Sequence, residues 1–204
     1  MKKPITIIDY GVGNLYSVEK AFARLGADAV VTSDPETILG AAKVVLPGVG
    51  AFGDCMRNLT ECGLAGVVRA VVAKGTPLLG ICVGLQILFA GSEEDPEIPG
   101  LRIFPGLVRR IVAPGLKIPH MGWNSLDIAG ASPLLAGLPA NPYVYFVHSY
   151  HAVPDDPSLV TATTEYGGRV TAAVSRGNIH AVQFHPEKSG DAGLKILANF
   201  KEIA

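Results

Sequence analysis

The apolar positions of this chain change period along its length. Residues 5–9 form a short apolar run that reads as a strand, and residues 15–25 carry apolar side chains at helical spacing. Residues 29–32 and 44–47 read as further strands. Residues 55–74 repeat apolar positions at the helical period as far as Gly75 and read as one helix. The run Thr76-Pro-Leu-Leu-Gly80 then leads through a turn into a second helical pattern, Leu85-Gln-Ile-Leu-Phe89. Strands alternating with helices predict a parallel, doubly wound sheet flanked by helices. Beyond that point the pattern changes. Residues 108–112, 143–149, 159–164, 170–175 and 179–184 read as strands joined by short turns, with Gly167-Gly168 and Gly177-Asn178 as hairpin signals. Residues 194–203 read as a closing helix. The expected fold is α/β, with a mostly parallel sheet and antiparallel strands added in the C-terminal half. No repeat, low-complexity segment or linker divides the sequence, so residues 1–204 are expected to form one domain.

Composition sharpens this picture. Hydrophobic residues make up 49% of the chain and charged residues 17%, which suits a sheet covered on both faces. A formal net charge of -1 provides no basic field to attract nucleic acid or an anionic membrane. No apolar run is long enough to span a bilayer, and Met1-Lys-Lys-Pro4 leads only into a brief apolar stretch, so neither a membrane span nor a signal peptide is expected. The three cysteines, at 55, 62 and 82, are odd in number and widely spaced, which fits a reducing cytoplasm rather than a disulfide framework. Cys55 and Cys62 read as inert helix-core residues.

Candidate chemistry begins at Cys82, in the turn Gly80-Ile-Cys-Val-Gly84. A nucleophile flanked by glycines between a strand and a helix has the setting of a nucleophile elbow, and the helix N-terminus behind it favours a thiolate. The plainer alternative is a buried cysteine acting as a small hydrophobe. His185-Pro-Glu187 follows a strand, and in an extended backbone its two side chains project to one side. His185 could take a thiol proton while Glu187 holds the ring, or the triplet could be a surface turn with a satisfied histidine. The stretch Gly48-Val-Gly-Ala-Phe-Gly53 matches G-x-G-x-x-G after a strand. A dinucleotide site would also need an acidic residue at the end of the next strand. That strand carries Cys82 instead, and backbone N–H groups of the glycine loop could serve an oxyanion. His148 and His151 bracket Ser149-Tyr150 without a cysteine or carboxylate at ligand spacing, so no metal or cofactor is expected. Residues 119–124 read as a loop whose Met121 and Trp123 either form a contact surface or plug the core.

Taken together, Pro47-Gly-Val-Gly50, Gly80-Ile-Cys-Val-Gly-Leu-Gln86 and Gln183-Phe-His-Pro-Glu-Lys188 resemble the motifs of the triad, or class I, glutamine amidotransferases, in the same order and over nearly the whole chain. More narrowly the chain is similar to the glutaminase subunits of imidazole glycerol phosphate synthases. That similarity rests on Ile8-Asp-Tyr-Gly-Val-Gly-Asn14, Leu46-Pro-Gly-Val-Gly-Ala-Phe-Gly53, Ser92-Glu-Glu94, Ile118-Pro-His-Met-Gly-Trp-Asn124, Tyr145-Phe-Val-His-Ser-Tyr150 and His185-Pro-Glu-Lys-Ser189. The Met121–Asn124 stretch and Pro47-Gly-Val-Gly50 favour it over the glutaminases serving anthranilate or pyridoxal phosphate synthesis. A non-catalytic scaffold would be expected to have lost one of Cys82, His185 or Glu187.

The resemblance implies hydrolysis of glutamine to glutamate and ammonia through a γ-glutamyl thioester, with Cys82 as nucleophile, His185 as acid and base, and Glu187 orienting His185. It places the oxyanion hole at Val49, Gly50 and the N–H of Val83. It assigns glutamine binding to Gln86, to backbone around Ser149 and Tyr150, and less strongly to Glu94. It also implies a (β/α)₈-barrel cyclase as partner, docked against Pro119, Met121, Gly122, Trp123, Asn124 and Lys188. Activity would stay low until that partner binds its phosphoribosyl ligand, with a flip in residues 47–50 as the switch.

Overall fold

The structure, a computed structural model, describes residues 4–204. Its first half runs β1 (Ile5–Ile8), α1 (Leu15–Arg24), β2 (Ala29–Thr32), α2 (Pro35–Leu39), β3 (Lys43–Gly48), α3 (Phe52–Glu61), α4 (Leu64–Ala73), β4 (Leu78–Cys82) and α5 (Val83–Gln86). The second half runs β5 (Gly91–Ser92), β6 (Gly106–Arg110), β7 (His120–Ser125), β8 (Asp127–Ile128), β9 (Tyr143–His148), β10 (Tyr150–Pro154), β11 (Val160–Glu165), β12 (Arg169–Arg176), β13 (Ile179–Val182) and α6 (Gly190–Glu202). Among the described residues the main sheet has eight strands in the order β2-β1-β3-β4-β13-β12-β11-β8. The first five are parallel, and the last three continue the sheet by antiparallel pairing. This is the mixed sheet that the change of period predicts. Every residue of β1, β4 and β13 is buried, as strands covered on both faces require. α1 and α6 close one side, where Phe22 and Phe200 pack with ring centroids 6.4 Å apart.

Several local expectations are corrected. The single helix expected over residues 55–74 is two helices, because Gly63 adopts φ +71° and opens α4. The helical pattern at residues 85–89 is one short turn of helix, and Leu85, Ile87, Leu88 and Phe89 are all fully buried. Residues 119–124 are not a loop: β7 pairs antiparallel with β9 from His120↔His148 to Ser125↔Tyr143. The strand expected over residues 143–149 breaks at Ser149, and β10 leaves it to join β6. Cys55 is in the core, but Cys62 is exposed. No helix among the described residues is long and apolar enough to cross a membrane.

One glycine fixes how tightly the site can pack. A Cβ on Gly84 would lie 1.9 Å from the Leu46 carbonyl oxygen of the neighbouring strand β3. Backbone, not a flexible side chain, would have to move. Gly84→Ala is expected to cost about 3 kcal/mol or more, read as a lower denaturant midpoint with an unchanged slope.

Candidate active site

Three adjacent strand ends assemble the site. β3, β4 and β13 lie side by side and parallel, with Gly48 opposite Cys82 and Ile81 opposite Val182. The chain leaving β3, the turn at the end of β4 and the chain leaving β13 therefore emerge at one edge, where open α/β sheets carry their ligands. Cys82 sits at φ +57°, ψ -114°. A side-chain-bearing residue in that region carries strain of about 1–3 kcal/mol, which the flanking strand and helix must hold. Cys82 lines a cavity of about 410 Å³ together with Val49, Gly50, Val83, Gln86, Glu94 and His185.

His185 follows β13, and its backbone is pinned twice: its N–H donates to Tyr145 O at 3.0 Å, and its carbonyl accepts from Ser189 Oγ at 2.6 Å. The next residues form a 3₁₀ turn, Pro186–Lys188, rather than the extended segment expected from the two-residue spacing. That turn swings the Glu187 carboxylate under the ring, where Oε1 lies 2.8 Å from His185 Nδ1. Both side chains are almost fully buried, at 3% and 1% exposure. Burial alone would lower the His185 pKa. Hydrogen bonding and charge from Cys82 and Glu187 more than reverse this, and raise it to about 9. The ring is thus an imidazolium at neutral pH, with Nε2 the nitrogen left on the side away from Glu187.

The model of the class I glutamine amidotransferase family matches residues 6–203. The chain belongs to that family. Relatives agree over nearly their whole length. The protein named imidazole glycerol phosphate synthase subunit HisH from Moorella thermoacetica is 52% identical over 201 residues, covering 98% of this chain and 95% of its own. The HisH of Methanothermobacter thermautotrophicus is 54% identical over 199 residues, covering 98% of each. A solved glutamine amidotransferase structure superposes with a TM-score of 0.74 at 22% identity, over 96% of this chain and 98% of that one, and shares the fold.

In this amidotransferase the glycine loop after β3 is held from behind. Tyr10 Oη donates to Pro47 O at 2.6 Å, and Cys55 Sγ donates to Val49 O at 3.3 Å. A trans peptide sets its N–H opposite its carbonyl, so the Gly50 N–H is directed away from Cys55. Burial pushes the Cys55 thiol up to about 11, which keeps it a neutral donor. Cys55 is buried in the core, and its bond to the Val49 carbonyl is a structural contact that the sequence does not reveal.

The helix behind the loop rules out the dinucleotide alternative. The first N–H groups of α3 would have to receive a phosphate. Instead Phe52 N–H donates to Glu94 Oε2 at 2.8 Å, and Gly53 N–H to Asp95 Oδ2 at 2.9 Å. Two carboxylates already occupy that position. Glu94 thus caps α3 and also lines the cavity, so only part of its carboxylate remains for a ligand.

The remaining predicted residues divide between pocket and outer face. Gln86 Nε2 donates to Tyr150 O at 3.1 Å and to Gln183 Oε1 at 3.0 Å, which leaves Oε1 as the Gln86 atom available to a ligand. Gln183 lies within the resembling motif but was given no role there. Fully buried, it places its own Nε2 3.8 Å from Cys82 Sγ. Ser149, Tyr150, Pro119 and Lys188 line the same cavity. Met121 and Trp123 point outward from β7, at 61% and 55% exposure, so they do not plug the core. Trp123 meets Tyr145 edge-on at 6.1 Å. Gly122 and Asn124 alternate with them towards the inner face, and Asn124 bonds inward to Glu165 O at 2.9 Å. His148 Nδ1 bonds Tyr150 O, and His151 Nδ1 accepts from Thr171 N–H, so each histidine already has a protein partner. No group of three or more His, Cys, Asp or Glu among the described residues is arranged to hold a metal.

Proposed function

We infer that this chain is the glutaminase subunit of an imidazole glycerol phosphate synthase, acting as one catalytic domain over residues 1–204. The observation that carries this is that Cys82 and His185 line one cavity while Glu187 bonds the His185 ring, in a chain more than half identical to proteins named HisH. Cys82 attacks the side-chain amide carbon of glutamine. The charge that develops on the carbonyl oxygen is met by the N–H of Val83 and by the backbone of Val49-Gly50. His185 gives its proton to departing ammonia, leaving a γ-glutamyl thioester on Cys82. The ring, now neutral, takes a proton from water, which attacks the thioester and releases glutamate. The Gln86 Oε1, Glu94 and the backbone of Ser149 and Tyr150 hold the glutamine head group.

Ammonia must reach its acceptor before it is protonated in water. The exposed face carrying Met121, Trp123 and Tyr143 suits burial against a partner, with Pro119 and Lys188 lining the cavity and Gly122 and Asn124 supporting the strand. The partner is the (β/α)₈-barrel cyclase that consumes ammonia. No cofactor takes part, and the free thiols at 55, 62 and 82 fit a cytoplasmic enzyme. Glutamate release is measured with the chain alone, with that cyclase, and with the cyclase and its phosphoribosyl ligand. The expected result is stimulation on the order of 100-fold, the size of one completed oxyanion contact. Equal rates in all three mixtures would show that the cyclase is not its partner.

A further inference from the structure

A second set of polar groups runs through the inner face of β7 and β9, and one of them, His148, also lines the cavity. We propose that His120 and His148 are positioning residues, joining strand β7 to the glutamine pocket by a one-way relay of hydrogen bonds that ends on the Tyr150 carbonyl. This rests on the reading that the pocket binds glutamine.

The direction of every bond follows from its last acceptor. A carbonyl oxygen can only accept, so His148, whose Nδ1 lies 2.8 Å from Tyr150 O, carries its proton on Nδ1. Burial lowers His148 to about 3, so the ring is neutral and its Nε2 is bare. His120 Nδ1 lies 3.0 Å from that Nε2 and must supply the proton between them. His120 is also neutral, lowered by burial to about 4, which leaves its own Nε2 to accept from Asn124 Nδ2 at 3.3 Å. The amide orientation of Asn124 is set in turn, because its Oδ1 accepts from Ser125 N–H at 2.8 Å and its other Nδ2 hydrogen goes to Glu165 O. The His120 ring cannot turn away. It is stacked between Phe146 and Tyr166, with centroids 4.6 Å and 4.0 Å distant and planes 25° apart in both cases.

Tyr150 O receives two donors, His148 Nδ1 and Gln86 Nε2, and Gln86 reaches Gln183 beside Cys82. Losing the first donor frees the carbonyl to shift. Gln86 shifts with it, and so does the oxygen that faces the substrate. The relay therefore acts on how glutamine is held more than on the reacting atoms. It begins on the strand whose opposite side exposes Met121 and Trp123. Anything that moves β7 moves the first donor.

The test uses the assembled enzyme with its cyclase and reads KM for glutamine and kcat separately. His148→Leu removes both bonds. His148→Asn keeps an amide donor where Nδ1 stood and loses only the link to His120. His120→Phe keeps the stacking and removes the relay upstream. The expected pattern is a KM raised about tenfold by His148→Leu with kcat changed less than about threefold, the loss of one buried hydrogen bond. His148→Asn returns KM to within about threefold of wild type, and His120→Phe raises it by about threefold to fivefold. A KM unmoved by both His148→Leu and His120→Phe overturns the proposal. So does a loss in kcat that matches the rise in KM, or His148→Asn behaving like leucine. If the leucine variant does not fold, His120→Phe decides alone. Failure of the glutaminase reading looks different, since wild type itself would then release no glutamate.

Discussion

Cys82→Ser is expected to lower glutamate release by the assembled enzyme on the order of 10⁴-fold or more. The serine hydroxyl is a far weaker acid than a thiol, so it offers the glutamine carbon a far weaker nucleophile. The residual rate comes only from binding and from oxyanion donors, which leave the carbonyl polarised but unattacked. Glutamine affinity should stay close to that of wild type, because Gln86, Glu94 and the Ser149-Tyr150 backbone do not depend on the sulfur. Calorimetric titration of glutamine into the variant separates lost chemistry from lost binding. More than about one hundredth of wild-type turnover would assign the nucleophile elsewhere. Neither of the other cysteines could easily replace it. Cys55 is a neutral thiol bonded to Val49 O, and Cys62 is exposed at the end of α3.

The candidate triad of Cys82, His185 and Glu187 stands out in the sequence because each lies beside a strand end, and strand ends can be read from a chain. Cys82 closes β4, His185 follows β13, and those strands are neighbours in the sheet although a long stretch of sequence separates them. The neighbour relation was not legible in itself, since it depends on pairing of distant segments. For the same reason the sequence does not single out Gln183: its side-chain hydrogen bonds are with Gln86 and Cys82, both on another strand-turn unit. Strand β7 is hidden in the sequence for a different reason. Its alternation is inverted, with Met121 and Trp123 exposed and His120 buried at 2%. Polar groups on that inner face become tolerable only because His120, His148 and Asn124 satisfy one another, and hydropathy cannot register such mutual satisfaction. The division of residues 55–74 at Gly63 is hidden in the sequence because α4, Leu-Ala-Gly-Val-Val-Arg-Ala-Val-Val-Ala, is apolar on nearly every face, which masks the shift of its buried side beyond the break.

The position of Glu187 makes a second large effect. Glu187→Gln is expected to lower kcat on the order of 10²- to 10⁴-fold with little change in the fold's secondary structure. A glutamine at this site can still accept from His185 Nδ1 through its oxygen. It can equally donate through its nitrogen, which forces the ring proton onto Nε2 and presents the sulfur with a donor. It also lacks the charge that, with Cys82, holds the His185 pKa near 9. The same change has a signature in stability. A histidine raised from 6.5 to about 9 on folding stabilises the protein by on the order of 3 kcal/mol. That contribution is complete below about pH 6.5 and is lost as pH rises through about 9, because above that value folded and unfolded chains bind the same number of protons. Removing the Glu187 charge brings the folded-state value down. The stability gap between wild type and Glu187→Gln should therefore be widest near pH 6 and narrow towards pH 10, measured by denaturant unfolding across that range. A gap that stays constant with pH would mean that Glu187 does not stabilise the His185 imidazolium, and the loss of rate would then need a purely steric origin.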